Sequence, residues 1–438
     1  MIELSRISSI PLQQLSRTTI GTPITSMEIR LAFQKGYLIP YRKNQPEDPK
    51  SALQLIQVDR GGLSFRPPVG IYENVAEIDF FSMYPSIIAK YNLSYETINC
   101  SHTDCKTKLP TGYRVCTEKE GIVPQTLKFL LGRRLHYKKL ITSQPWKADT
   151  YDKRQKGLKW LLVVSFGYLG YKNAVFGRIE SHETTTAIGR QLLLFVKELA
   201  EAKGFRLLHA LTDSVWIYRE NASEKDYREF TEYLNKRLSE RFRGLFNRDI
   251  PFEVKLEGVY DWIVFLPSKQ DGTGVPNRFF GRFKDGSMKV RGIELRRSDT
   301  PEFVRGFQEN AISILRRAKN KRELKKALPE VEKLHKEYTE MLISGRFSPF
   351  ELSVRKRVSK EITEYRMKTD VAEAAGTLVK EGITVNPGEK LRIIYIKDSL
   401  IKAVPLELYI KNPKPLDMER YTKILDEGLR IFTVLKRL

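Results

Sequence analysis

Residues 206–218 read RLLHALTDSVWIY. Two short apolar runs meet at a polar break, Thr212-Asp213, so the stretch reads as a β-hairpin with a single carboxylate at its tip. A hairpin is antiparallel by construction, which fixes the kind of sheet this part of the chain can join. A second stretch repeats the theme. VAEIDFFSMYPSIIAKY, residues 75–91, reads as an apolar strand running into a helix near Pro85, with Asp79 where the strand ends. Two acids thus close apolar strands, in a chain that carries 76 Lys and Arg against 53 Asp and Glu and a formal charge of +23.

A soluble chain this basic ordinarily meets a polyanion, nucleic acid above all; the alternative is a solvated surface rich in Lys, Arg and Glu. The 438 residues suffice for about three domains. The opening MIELSRISSIPLQQLSR has no secretory pattern. The longest apolar run, WLLVVSFGYLGY at 160–171, falls short of the about 20 residues that span a bilayer. An intracellular, soluble protein without a membrane partner is expected, cytoplasmic and associated with the nucleoid. The three cysteines, Cys100, Cys105 and Cys116, cluster in one segment with His102. They read as unpaired thiols, as a Cys105–Cys116 disulfide, or as metal ligands, although the spacing matches no standard zinc motif.

No internal repeat or low-complexity tract is present. GIVPQTLKFLLGRRLHYKKL is helical, with Pro124 near its start, and a second helix is expected from Tyr151 to about Val164 after the polar break TSQPWKADT. Together they form an antiparallel helical hairpin with basic faces. SHETTTAIGRQLLLFVKELAEAKG is a further helix ending at Gly204, and EKDYREFTEYLNKRLSERF another. PFEVKLEGVYDWIVFL reads as a strand, with Glu253, Lys255 and Glu257 on one face. From about Ser268 the chain is rich in Lys and Arg, with long helical stretches such as PEFVRGFQENAISILRRAKNKRELKKAL, and reads as a separate lobe.

Asp79 taken alone would read as a helix cap or turn acid. Beside Asp213 it gains a second reading. Two carboxylates on adjacent strands can clamp a pair of divalent ions about 4 Å apart, activating an attacking hydroxyl and stabilising a leaving pyrophosphate. Magnesium suits few carboxylates plus substrate phosphates. Phosphoryl transfer also needs cations on the triphosphate, and the helical hairpin offers Arg133, Arg134, Lys138, Arg154 and Lys159. Arg134 and Lys138 are four apart and share a helix face; a solvated basic face is the plainer account of any one of them.

These stretches resemble the family B DNA polymerases. DFFSMYPSII is similar to motif A, DxxSLYPSII; RQKGLKWLLVVSFGYLGY to motif B, KxxxNSxYG; and HALTDSV to motif C, YGDTDSV. They occur in the family's order. GIVPQTLKFLLGRRLHYKK resembles the first fingers helix, NRFFG a worn KKRYxG element, and KVRGIELRRSD and GITVNPGEKLRIIYI thumb segments of archaeal members. The resemblance runs from about Ile7 to the C-terminus. It implies an α+β right-hand fold with an antiparallel-sheet palm, helical-hairpin fingers and a mostly helical thumb. The implied divisions are 1–65, a residual N-terminal segment packing on the palm; 66–120 and 172–265, palm; 121–171, fingers; and 266–438, thumb. Asp79, Asp213 and the Phe80 carbonyl would hold two Mg²⁺ ions, with Mn²⁺ as a substitute. Tyr84 would be the steric gate against a 2′-hydroxyl. Backbone amides from Phe81 through Ser82 to Met83, with Arg134, Lys138, Lys159, Val163 and Phe166, would hold the incoming dNTP. Thr212, Ser214, Arg278, Arg291, Gly292, Arg296, Arg355 and Arg357 would contact primer–template DNA.

The departures carry expectations of their own. Only 78 residues precede Asp79, too few for the usual N-terminal and 3′–5′ exonuclease domains, so an enzyme that does not proofread by itself is expected. Val163 stands where motif B has Asn, Phe166 where it has Tyr, and Leu211 where motif C has its first Asp. This pattern resembles a divergent archaeal subgroup. The expected activity is non-proofreading DNA synthesis with a loosened nascent-pair pocket, in lesion bypass, gap filling or repair. The alternatives are a catalytically silent DNA-binding scaffold and a subunit completed by a separate chain. RNA synthesis is disfavoured by Tyr84. The C-terminal LRIFTVLKRL is a poor match to a sliding-clamp peptide, though a clamp stays among the possible partners.

Overall fold

A computed structural model of the chain describes residues 1–438 except 40, 42–46, 59, 248, 249, 251, 399 and 400. It divides into two compact units, one of residues 1–65 and 76–257, the other of 66–75 and 258–438. Mixed helix and antiparallel sheet make up both.

In the first unit the sheet strands are β1 (Ser64–Phe65), the second half of β2 (Gly70–Phe80), β3 (Arg206–Leu211), β4 (Ser214–Tyr218) and the start of β5 (Val254–Pro267), in the order β1-β3-β4-β2-β5. Pro251, with which the expected strand at 251–266 begins, lies outside the described residues; β5 starts at Val254. β3 and β4 pair antiparallel around the two-residue turn, with Leu211 opposite Ser214. Helices of this unit include α1 (Ile2–Ser8), α2 (Gly21–Gln34), α3 (Met83–Lys90), α4 (Ile122–Ser143), α5 (Ala148–Leu169), α6 (Ile179–Ala202) and α7 (Glu224–Arg241). α4 and α5 form the expected hairpin. α5 starts at Ala148 and runs to Leu169, three residues earlier and five later than the pattern 151–164 suggests. Asp149 stabilises its first turn, and SFGYL continues the helix because Leu169 still finds core on its buried face. α7 is fixed by a full capping box between Ser223 and Asp226. Burial of Ile78, Ile87, Leu127, Leu130, Leu158, Leu161, Leu192, Ala210 and Ile217 locks these elements together.

One buried acid sits in this framework at a cost. Glu28 on α2 is 7% exposed. Burial, with the neighbouring Glu96 carboxylate, pushes its pKa up to about 8 from an ordinary 4.5. The folded chain therefore holds a proton that the unfolded chain has released, and stability falls as pH rises through that window. Glu28→Gln is expected to raise the melting temperature by several degrees at about pH 8, at roughly 2–4 °C per kcal/mol, and by little at about pH 5. Equal shifts at both pH values in a thermal scan would contradict this.

In the second unit the rest of β5 pairs antiparallel with β6 (Gly274–Phe283), which pairs with β7 (Met288–Arg291). A second sheet has the order β10-β9-β8, from β8 (Val354–Arg357), β9 (Lys390–Tyr395) and β10 (Ala403–Pro405). Its larger helices are α8 (Glu302–Leu315), α9 (Lys321–Lys326), α10 (Leu328–Ile343), α11 (Asp370–Lys380) and α12 (Met418–Thr433). The helical stretch at 301–328 is broken at Asn320, whose side chain caps α9 by accepting from the Glu323 amide. Trp262, Phe280, Phe303, Phe307, Tyr421 and Phe432 centre the core. Among the described residues no helix is long and apolar enough to cross a membrane.

Candidate active site

The two acids reach one another through backbone. β2 ends at Phe80, whose amide donates to the Asp213 carbonyl at 2.8 Å, so the turn carrying Asp213 lies against the strand end carrying Asp79. The next amide, of Phe81, donates to the Glu253 carbonyl at 2.8 Å. Ser214 Oγ donates to Asp79 Oδ1 at 2.6 Å and orients that carboxylate. The hairpin tip is tight. Thr212 adopts φ 54°, a left-handed value that a β-branched residue takes only under constraint, and the Asp213 amide donates back to the Leu211 carbonyl at 2.6 Å. Asp213 is left exposed at the tip and Asp79 half-buried beside it.

Ser82 also takes a left-handed φ, 50°, and turns the chain from β2 into α3. One turn of that helix presents Tyr84. Its ring lies 4.4 Å from the Phe166 ring, which stacks at 4.2 Å on His182. Gly189 on α6 and Gly62 make room for it: a Cβ on Gly189 would stand 2.8 Å from Tyr84 Cε1, and one on Gly62 3.0 Å from its hydroxyl. Arg190 Nη1 holds the Gly61 carbonyl at 2.6 Å.

The cations arrive from the helical hairpin. Arg134 is buried; it bonds Ser82 Oγ and Gln155 Oε1, and its guanidinium lies 4.5 Å from the centre of the Phe81 ring. Lys138 Nζ lies 4.5 Å from the same ring. Burial lowers the Arg134 pKa to about 10 against the pull of Asp79. Burial, then the charges of Arg134, Lys255 and Lys159, brings Lys138 down to about 8. Burial and the Asp213 charge push the Tyr84 phenol up to about 12.

A cavity of about 300 Å³ collects these groups. Asp79, Phe80, Phe81, Ser82, Met83, Tyr84, Arg134, Lys138, Lys159, Val163, Phe166, Thr212 and Asp213 all line it, with Leu162, Lys255 and Glu257. Two corrections follow. The Phe81 amide is committed to Glu253, so Phe81 offers its ring, not its N–H, to this cavity. Arg133 and Arg154 turn away and pair with Glu3 on α1, Arg133 at 2.7 Å. Glu253 pairs with Lys255 at 3.1 Å, and Glu257 reaches the cavity.

The remaining expected residues belong to the second unit. Arg278 on β6 donates to the Pro267 carbonyl at 2.8 Å. Gly292 follows β7 with φ 64°, where a Cβ would stand 2.3 Å from the Asn277 carbonyl, so only glycine fits. Arg291 and Arg296 are exposed around it. Arg355 and Arg357 share one exposed face of β8, opposite Arg392 and Lys390 of β9. Like charges across a strand pair repel, a cost that a bound polyanion would offset.

Sequence reasoning missed Gly62, His182, Gly189, Arg190, Lys390 and Arg392. One signal was available: a glycine inside a helical pattern, as at Gly189, costs about 1 kcal/mol against alanine and asks for a packing reason. All three cysteines are free, and Cys105 Sγ and Cys116 Sγ stand 3.9 Å apart, against about 2.05 Å in a disulfide, so the Cys105–Cys116 bond weighed from the sequence is not formed.

The family model described as DNA polymerase family B matches residues 10–434. "DNA polymerase 2" of Saccharolobus solfataricus is 32% identical over 345 residues, 79% of this chain and 49% of that protein. A "DNA polymerase" of Pyrococcus glycovorans is 28% identical over 444 residues, 98% of this chain and 53% of that protein. The solved structure of the family B DNA polymerase from Pyrobaculum calidifontis matches with a TM-score of 0.66 at 26% identity, over 98% of this chain and 53% of that one. The chain spans about half the length of these relatives.

Proposed function

The chain belongs to DNA polymerase family B, and on that premise we propose that it extends a primer 3′ end with deoxynucleotides under template direction, by two-metal phosphoryl transfer. The carrying observation is the cavity that Asp79, Asp213, Tyr84, Arg134, Lys138 and Lys159 line together. In this proposal 66–120 and 172–265 act as palm, 121–171 as fingers and 266–438 as thumb, with 1–65 packed on the palm.

The acidic donors fit the ions the family uses. Asp79, Asp213 and the Phe80 carbonyl supply only oxygen, which suits Mg²⁺ or Mn²⁺. Two such ions, when bound, activate the primer hydroxyl and neutralise charge on the departing pyrophosphate. The protein does the rest. Ser214 holds the Asp79 carboxylate in orientation. Arg134, Lys138 and Lys159 neutralise the triphosphate, helped by amides at the start of α3. Tyr84, backed by Phe166, lies under the sugar. The basic face of β8 and β9, with Arg278, Arg291 and Arg296, grips duplex phosphates and gives salt-dependent affinity.

Lesion bypass or repair is the role we favour, because Val163, 61% exposed, and Phe166 line the cavity without the polar groups the family ordinarily has there. The deciding assay is primer extension with Mg²⁺ or Mn²⁺ on intact and lesion templates. Extension past the lesion supports the role; DNA binding without any incorporation favours a silent scaffold. Activity gained only with a co-purifying subunit or clamp favours the incomplete-enzyme reading. A 3′-mismatched primer incubated without nucleotides tests synthesis without proofreading, and its shortening would refute that.

Two smaller effects are expected. Leu211 is not among the residues lining the cavity. Leu211→Asp should therefore change the extension rate by less than about tenfold, or 1.4 kcal/mol; a larger gain would make its carboxylate a metal ligand. Lys138, with its pKa near 8, is an ammonium below that pH and neutral above it. The kcat/KM for dNTP, which reports the free enzyme, should fall above about pH 8, with kcat less affected because the bound triphosphate retains the proton. Lys138→Arg should flatten that fall.

A further inference from the structure

The segment between α3 and α4 folds back on itself through bridges pairing Ile98 with Val115 and Lys108 with Arg114. This return brings Cys116 beside Cys100, His102 and Cys105. The three cysteines are buried and form a cluster of their own. One ligand atom from each of the four residues lies within 4.8 Å of every other. Cys105 Sγ is 3.9 Å from Cys116 Sγ, and Cys116 Sγ is 3.3 Å from His102 Nδ1. A tetrahedral ion bound at about 2.3 Å to sulfur and 2.0–2.1 Å to nitrogen spaces its ligands by about 3.5–3.8 Å. These two distances bracket that spacing, and the other pairs, all within 4.8 Å, can close onto it with small side-chain shifts.

The surroundings are those of coordinating thiolates. The Thr117 amide and hydroxyl donate to Cys105 Sγ at 3.3 and 3.6 Å, and the Lys119 amide to Cys116 Sγ at 3.4 Å. His102 Nε2, the nitrogen left over when Nδ1 binds, faces Glu118 Oε2 at 3.9 Å, beyond hydrogen-bond reach but within range of charge attraction.

We propose that Cys100, His102, Cys105 and Cys116 bind one Zn²⁺. A thiolate-rich set selects zinc over the hard cations of the oxygen site. Four protein ligands close the coordination sphere, so the ion is structural. It steadies the start of α4. The Cys116 carbonyl accepts from Asn92 Nδ2 at 2.9 Å, and Asn92 Oδ1 accepts at 2.8 Å from the amide of Gly121, the N-cap residue of α4. The ion thus anchors the helix that carries Arg134 and Lys138.

The test reads metal, independently of any polymerase activity. The 438-residue protein, expressed with zinc in the medium and purified without chelator, should contain about one zinc per chain by plasma mass spectrometry. Its cobalt-exchanged form should show thiolate-to-cobalt charge-transfer bands and the d–d bands of a tetrahedral ion. Cys105→Ser/Cys116→Ser should lose the metal. Should that variant fail to fold, His102→Ala, at a side chain about a third exposed, should leave the fold intact and give up zinc to a competing chelator at a concentration at least about 10-fold lower. Zinc absent from wild type, or a chain mass two hydrogens below the reduced value from a Cys105–Cys116 disulfide, overturns the proposal. So does a His102→Ala protein that retains zinc as wild type does.

Discussion

Asparagine at Asp79 or at Asp213 is expected to slow single-turnover primer extension by at least about 10³-fold, some 4 kcal/mol of transition-state stabilisation. Asparagine keeps the size of the side chain and, at 79, an oxygen for the Ser214 hydroxyl, so the change isolates the charge. The charge matters because of what surrounds it. Arg134, Lys138, Lys159 and Lys255 line the same cavity, and against them stand Asp79, Asp213 and Glu257. Two divalent cations cannot be held among four basic side chains once a carboxylate is gone. Neither acid is deeply buried, so neither variant should unfold, and filter binding of primer–template DNA should be unchanged. Extension at the wild-type rate by the double variant would remove two-metal chemistry from the account. Intact DNA affinity with no extension by wild type would leave the scaffold reading in its place.

Much of this site was legible from residue pattern, and the reason is local. An acid that ends an apolar strand breaks the binary pattern, so Asp79 and Asp213 stand out one at a time. The cations of the helical hairpin repeat at helical spacing, so Arg134 and Lys138 could be put on one face. Pattern could not say which face meets the acids. Arg133 and Arg154 carry the same charge on the same hairpin, yet Glu3, 130 residues from Arg133 in sequence and farther still from Arg154, holds them elsewhere. The left-handed turns at Ser82 and Thr212 were equally hidden, because serine and threonine do not announce positive φ; the strand pairings around them impose it. The cysteine cluster was visible as composition and ambiguous as chemistry. Its linear spacing argued against a metal, and only the fold-back at Ile98–Val115 and Lys108–Arg114 makes four ligands of it. The break at Asn320 shows the converse: a capping side chain overrides a continuous helical pattern.

Tyr84→Ala is expected to relax discrimination against ribonucleotides by roughly 10²-fold, the scale on which a shape-based pocket accepts or rejects one added group. The ring has little freedom to yield. Phe166 lies on one side, Gly189 approaches so closely that a single Cβ would collide, and Gly62, with Thr212 beside it, leaves a Cβ only 3.0 Å from the hydroxyl. An aromatic wall that cannot retreat excludes a 2′-hydroxyl by contact, whereas a mobile one would only disfavour it. The walls predict a graded series. Tyr84→Phe keeps the ring and should keep the exclusion, since the hydroxyl points toward Gly62 and Thr212. Gly189→Ala pushes on the ring from behind and should lower dNTP use itself, by crowding the sugar site. The measurement is the ratio of kcat/KM for a dNTP and its ribonucleotide, determined for each variant with the same primer–template. If Tyr84→Ala leaves that ratio unchanged while Asp79→Asn abolishes extension, the chemistry stands and the gate does not, and sugar selection must lie with Phe166 and Val163 on the facing helix.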